Sequence, residues 1–157
     1  MMNRILVTSL TLVATSALVA AGCGGSGGGD GGGPLTKAAY IAKADAACAA
    51  AQAEGRDLDL SSTEKIAANG DKAKDVLDEL ANKIDDLEAP DELQDAAQSF
   101  ADGLKQEADQ FGEMTQAAKD GDTAKIQEIQ GKLQSESAAT SEDARFLGAT
   151  GCARLFA

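Results

Sequence analysis

The sequence predicts an all-α fold: an antiparallel helical bundle of three long helices plus a shorter first helix, closed by one disulfide. Three observations predict it. From Leu35 onward the only proline is Pro90, and nothing alternates in the manner of a strand. Apolar residues recur instead at three- and four-residue steps in four stretches, each bounded by cap or turn residues. Cys48 and Cys152 bracket those stretches.

The first helix begins after Thr36, whose hydroxyl suits a cap, with Leu35 and Tyr40 at the two staple positions around it. Ile41, Ala44, Cys48 and Ala51 form its stripe, and Gly55 ends it. The loop RDLDLSS leads to Ser61, which with Glu64 three residues on fits a capping box. The second helix runs to about Leu87 through Ile66, Val76, Leu77, Leu80, Ile84 and Leu87, with Asn69 and Gly70 as a point where it would split. Pro90 opens the third helix, and Asp91 and Glu92 sit in its first turn, where the helix dipole favours anions. Its stripe, Leu93, Ala97, Phe100, Leu104, Phe111, Met114 and Ala118, is nearly a heptad seam.

A turn at Gly121 and a cap at Asp122 start the fourth helix, whose buried face is Ile126, Ile129, Leu133, Thr140, Ala144 and Leu147. Glu136 and Ser137 put a polar patch in that face; Gly148 and Gly151 close the helix. The tail TGCARLFA then returns Cys152 to the body. One distance is awkward. Cys48 lies about 18 Å along the first helix from Thr36, yet in a regular bundle the end of the fourth helix meets the start of the first. Either the first helix is offset or the tail climbs it.

Ahead of the bundle stands Arg4, then an apolar run from Ile5 to Ala21, which is the plan of a secretory signal. Such a run is also close to the ~20 residues of a transmembrane helix. Nine of the chain's 17 glycines fall between Gly22 and Gly33, a composition too polar and too free in its backbone to fold. Twelve residues of such chain reach ~20 Å on average. They read as a tether ended by Pro34.

The full chain of 157 residues carries a formal charge of −12 and no histidine or tryptophan. That charge disfavours nucleic acid and anionic lipid as partners. Without histidine the usual general base and most zinc and haem ligand sets are missing, and no Ser/His/Asp or Cys/His arrangement is possible. No phosphate-binding glycine loop follows a strand or opens a helix. The sequence therefore offers no catalytic residues, no cofactor site and no metal site. The acids from Asp71 to Asp95 read as a solvated helix face rather than calcium or magnesium ligands. Asp57 and Asp120 head turn and cap segments that lack the later ligands of an EF-hand. Phe100, Phe111 and Met114 lie on the third helix's stripe and read as core, with a pocket lining as the alternative; Tyr40 and Phe156 are ambiguous.

LVAAGC, ending at Cys23, resembles the lipobox of bacterial lipoproteins. Ala20, Ala21 and Gly22 fill the places before the cut, although leucine is commoner where Ala20 stands. The resemblance implies a signal peptide at residues 1–22, lipidation of Cys23, a tether over 23–34 and a bundle domain over 35–157. It places the protein on the extracytoplasmic face of the cell membrane, which its lipid anchor contacts. In that oxidising compartment the remaining pair, Cys48 and Cys152, reads as a disulfide rather than a redox couple, since it lacks C-x-x-C spacing. YIAKADAACAA and FLGATGCA also resemble small alanine-rich lipoproteins of high-GC actinobacteria, a type without an agreed activity. The leading expectation is a non-enzymatic interaction or structural module that meets an envelope protein. The second is a binding protein holding a small apolar ligand or a hard cation between helices, and a carboxylate hydrolase stands third.

Overall fold

The computed structural model describes residues 33–156, so the signal, Cys23 and the tether up to residue 32 lie outside the described residues. Five helices follow in order: α1 (Lys37–Gly55), α2 (Thr63–Asp85), α3 (Gln94–Asp120), α4 (Thr123–Leu147) and the short α5 (Thr150–Ala153), with one 3-10 turn at Asp91–Leu93 leading into α3. There is no strand among the described residues. The four long helices pack as an antiparallel bundle, and Cys48 and Cys152 are joined as a disulfide.

The caps explain most boundaries. Thr36 Oγ1 accepts from the Ala39 amide, and Asp122 from the Lys125 amide, satisfying donors that a helix leaves unpaired at its start. Gly121 and Gly148 follow α3 and α4 with φ of 72° and 84°, the left-handed conformation that glycine adopts without a Cβ clash. The cap of α2 is Ser62, not Ser61: Ser62 Oγ accepts from the Lys65 amide, while the Ser61 hydroxyl donates to Asp59 at 2.7 Å. The α4 helix also ends earlier than the glycine pair suggests, since Thr150–Ala153 forms a helix of its own.

The break expected at Asn69 and Gly70 does not occur; α2 is continuous. Gly70 is buried where α2 meets α3, and a Cβ there would overlap the Thr115 hydroxyl. Its missing side chain thus serves close approach of the two helices. Asn69 instead donates its amide to Asp59 O at 3.0 Å and pins the α1–α2 loop. Lys105 pairs with Asp85 across the same helix pair, and Lys119 with Asp71 at 2.9 Å. Such exposed ion pairs contribute about 0–1 kcal/mol each, and they favour one register.

The tail climbs the first helix. Leu35 N–H bonds Glu88 O at 2.8 Å, so α1 starts at the end of the bundle where α2 gives way to α3. Gly148 arrives there beside Ile41, Gly151 meets Asp45, and Cys152 reaches Cys48, each contact further along α1. Asp45 Oδ1 accepts from both the Gly151 and Cys152 amides, at 2.8 and 3.2 Å, and holds α5 by its N-terminal turn. This is possible because α1 presents Tyr40, Ala44, Cys48 and Ala51 as its buried stripe: small residues with one large one. Tyr40 takes the core place expected of Ile41, which is only half-buried against Gly148.

Two apolar clusters result. The larger surrounds the disulfide with Tyr40, Leu80, Ile84, Phe100, Leu104 and Leu147; the smaller, at the far end, holds Ile66, Met114, Ala117, Ala118, Ile126 and Ile129. The α1 helix has 19 residues against the 27 of α3, about 28 Å against 40 Å. Beyond Gly55 the fourth place in the bundle is therefore filled by a loop and by the C-terminal tail.

Candidate functional site

A cavity of about 690 Å³ opens where that substitution takes place. Its walls come from the end of α1 (Ala51, Gln52), the α1–α2 loop (Leu58, Leu60), α2 (Val76, Leu77), α3 (Glu107, Phe111), α4 (Ser137) and the tail (Leu155, Phe156). It lies between the two clusters: Val76, Leu77 and Phe156 pack on the larger, Leu60 and Phe111 on the smaller. The size falls within the ~300–1,000 Å³ usual for small-molecule sites.

The loop wall is built in advance of any occupant. Leu58 N–H bonds Gly55 O at 3.0 Å, and Asp59 gathers the Ser61 amide and hydroxyl with the Lys65 ammonium. Those donors, led by Lys65, pull the Asp59 carboxyl down to about 2. On the opposite side Phe156 meets Phe100 edge-on, with ring centroids 6.3 Å apart and planes at 80°. A preformed wall avoids the ordering cost that a loose loop would add to binding.

The polar part of the site is Glu107. It falls between Leu104 and Phe111 in the α3 stripe, the seam position that the apolar pattern skips. The residue is 2% exposed, and burial pushes its carboxyl up from the ordinary value of 4.5. Hydrogen bonding by the Thr140 and then the Ser137 hydroxyl opposes that rise, and the Glu136 charge adds to it. The Ser137 hydroxyl donates to Oε2 at 3.1 Å, while Oε1 has no hydrogen-bond partner among the described residues.

The polar patch expected at Glu136 and Ser137 thus faces α3. Glu136 accepts from the Gln106 amide at 2.6 Å and from the Gln110 amide, so both of its oxygens are engaged. Among the described residues Glu107 is the single acid on the cavity wall. Glu136 is not part of that wall.

The other candidates separate clearly. Phe100 and Met114 are buried core, whereas Phe111 is half-buried and lines the cavity; Phe156 lines it too. Tyr40 is fully buried near the base of α1, its hydroxyl pushed up by burial and then by Asp85. Among the described residues no three Asp, Glu or Cys side chains converge as a metal-binding group. The acids from Asp71 to Asp85 are largely exposed and pair with lysines, as in Asp71–Lys119, Asp78–Lys74, Glu79–Lys83 and Asp85–Lys105. Asp57 is exposed in the α1–α2 loop, and Asp120 accepts from the Gln116 amide at 3.0 Å.

Sequence reasoning named Phe111, Phe156, Glu136 and Ser137 but passed over Glu107. The signal was present as the seven-residue gap from Leu104 to Phe111 in an otherwise three-and-four pattern. Compared with known proteins, the chain matches no family model, no curated protein and no solved structure, and the site is read from its own geometry.

Proposed function

We propose that this protein is a lipid-anchored binding domain of the cell envelope, non-enzymatic, that holds a small, mainly apolar molecule in the cavity beyond the end of α1. The observation that carries the reading is the cavity itself: about 690 Å³, walled by leucine, valine and phenylalanine side chains, with one buried acid. Apolar side chains from three helices, the loop and the tail face one open space of ligand size there. The anchor follows from the lipobox resemblance at Cys23 and sets where the ligand is met, outside the cytoplasmic membrane.

Titration of the full-length chain carrying Cys23→Ala with the apolar fluorophore 1-N-phenylnaphthylamine tests the reading. One saturable site is expected, weakened at least tenfold by Ala73→Phe or Leu58→Trp, which place bulk in the cavity from α2 and from the loop. Non-saturating fluorescence, or equal binding by both variants with native circular dichroism, overturns it. In cells, the mature protein should begin at a Cys23 that carries lipid mass, and an unmodified amino-terminal Cys23 in intact-mass analysis overturns the anchor.

A further inference from the structure

Exposure sorts the cavity wall into two parts. Among the described residues only Gln52 and Arg56 are exposed on it, and every other wall residue is buried or half-buried. Resting on the binding reading above, we infer that the cavity takes a single-chain carboxylic acid: the carboxylate stays at the mouth on the Arg56 guanidinium, beside Gln52, and the hydrocarbon chain runs inward along Leu58, Leu60, Val76, Leu77, Phe111 and Phe156.

Three observations select an anionic head held at the mouth. First, the deeper polar side chains are already spent. Glu107 is sealed from the cavity, and the Ser137 and Thr140 hydroxyls hydrogen-bond its carboxyl, so the inner wall offers an occupant apolar contact alone. Second, the mouth offers donors. Arg56, the residue that closes α1, presents a planar fork of N–H groups that fits a carboxylate through two parallel hydrogen bonds, and Gln52 stands one turn back on the same helix with its side-chain amide. Third, Arg56 is the one cation on the wall and forms no ion pair among the described residues. The acids nearest it in sequence, Glu54, Asp57 and Asp59, are not on the wall, and Asp59 is held by Ser61 and Lys65.

The same features rank the possible heads. A carboxylate gains charge-assisted hydrogen bonds, roughly twice as strong as those a neutral hydroxyl makes. An ammonium would meet the guanidinium as a like charge. A phosphate monoester carries about −1.5 to −2 charges, more than one guanidinium matches. The chain's formal charge of −12 is screened over about 8 Å at physiological salt, so the head responds to the groups beside it. Selectivity for acid over alcohol over amine therefore comes from one side chain, while the apolar wall supplies affinity common to all three.

The test is competition against 1-N-phenylnaphthylamine on the full-length chain carrying Cys23→Ala, with decanoate, decanol, decylamine and decyl phosphate as equal-length competitors below their micelle-forming concentrations. At neutral pH decanoate is expected to displace the probe at a concentration about threefold or more below that of decanol, with decylamine weakest. Arg56→Gln should bring decanoate to the level of decanol and leave decanol unchanged. Arg145→Gln, which removes the same charge from an exposed position of α4 away from the wall, should keep the preference. Raising the salt should narrow it, since the pair is exposed. Decanol equal to decanoate, an acid preference that survives Arg56→Gln, or decyl phosphate binding more tightly than decanoate overturns the inference while the probe's own binding upholds the cavity as a site. A failure of all four competitors against a probe that still binds overturns it likewise. Absence of probe binding removes both readings.

Discussion

Removing the disulfide by Cys48→Ala/Cys152→Ala should lower stability by about 4–5 kcal/mol. The magnitude follows from the 104-residue separation of the two cysteines, because a cross-link restricts the unfolded chain more as its loop grows. Alanine is the suitable replacement: both sulfurs are buried, and serine would add a hydroxyl to the core. With urea m-values of about 1–3 kcal/mol per molar for small domains, the unfolding midpoint should fall by about 1.3–5 M. The assay is urea titration followed by far-ultraviolet circular dichroism, with the reduced wild-type protein as a second sample in case the double variant folds poorly. Since Leu155 and Phe156 follow Cys152 and wall the cavity, probe binding should weaken along with stability. A midpoint shift below about 0.5 M in both samples would refute the reasoning. It would mean that constraint of the unfolded chain is not what the cross-link supplies, and that the Asp45 clip alone seats the tail.

Two further outcomes are expected. Glu107 has a folded-state pKa above the ordinary 4.5, so the folded chain keeps its proton longer than the unfolded chain, and raising the pH through that window costs stability. Thermal melts of Glu107→Gln should therefore match wild type below about pH 4 and exceed it progressively as pH rises above 4.5; a gap that is constant with pH, or of the opposite sign, refutes this. Asp59, held down at about 2, acts in the other sense, its contribution being lost as pH falls from the ordinary 3.8 toward 2; it is common to both proteins and cancels in the comparison. Gly70→Ala should destabilise by about 1–3 kcal/mol through overlap with Thr115, and Thr115→Ala in the same chain should recover most of the loss, as a double-mutant cycle in urea would show. Additive losses would mean that the two helices are not in close approach there.

How much of this was legible in the sequence depended on the range of the cause. Thr36, Asp122, Gly121 and Gly148 act within one turn of themselves, and each ends or starts a helix as its chemistry implies. The cysteine pair was legible for a different reason: once Cys23 is set aside by the lipobox resemblance, only one pairing remains. Adjacent Ser61 and Ser62 could not be ranked locally, because Asp59 takes the first hydroxyl and leaves the second to cap α2. Gly70 misled for a similar reason. A glycine that weakens an isolated helix by about 1 kcal/mol is also what lets a second helix approach. Only the partner decides which.

Glu107 shows the limit most clearly. A charged residue at a seam position is exposed if α1 stops short and open water takes its place; it is buried if something else closes the gap. Here the loop at Leu58 and Leu60 and the tail at Leu155 and Phe156 close it, and those segments have no periodic pattern to read. The path of the tail was left open between two routes, and the polar pair of Gly151 and Cys152 amides on Asp45, a contact across more than a hundred residues, chose one.

The Cys48–Cys152 bond has a consequence for wear in a hostile setting. The loop after α1, the link between α2 and α3, and the turn at Gly121 all lie between the two sulfurs. A protease that severs the backbone at any of them produces two pieces still covalently joined. The half bearing the amino-terminal end retains the other until a reductant arrives, so a single clip does not part the molecule.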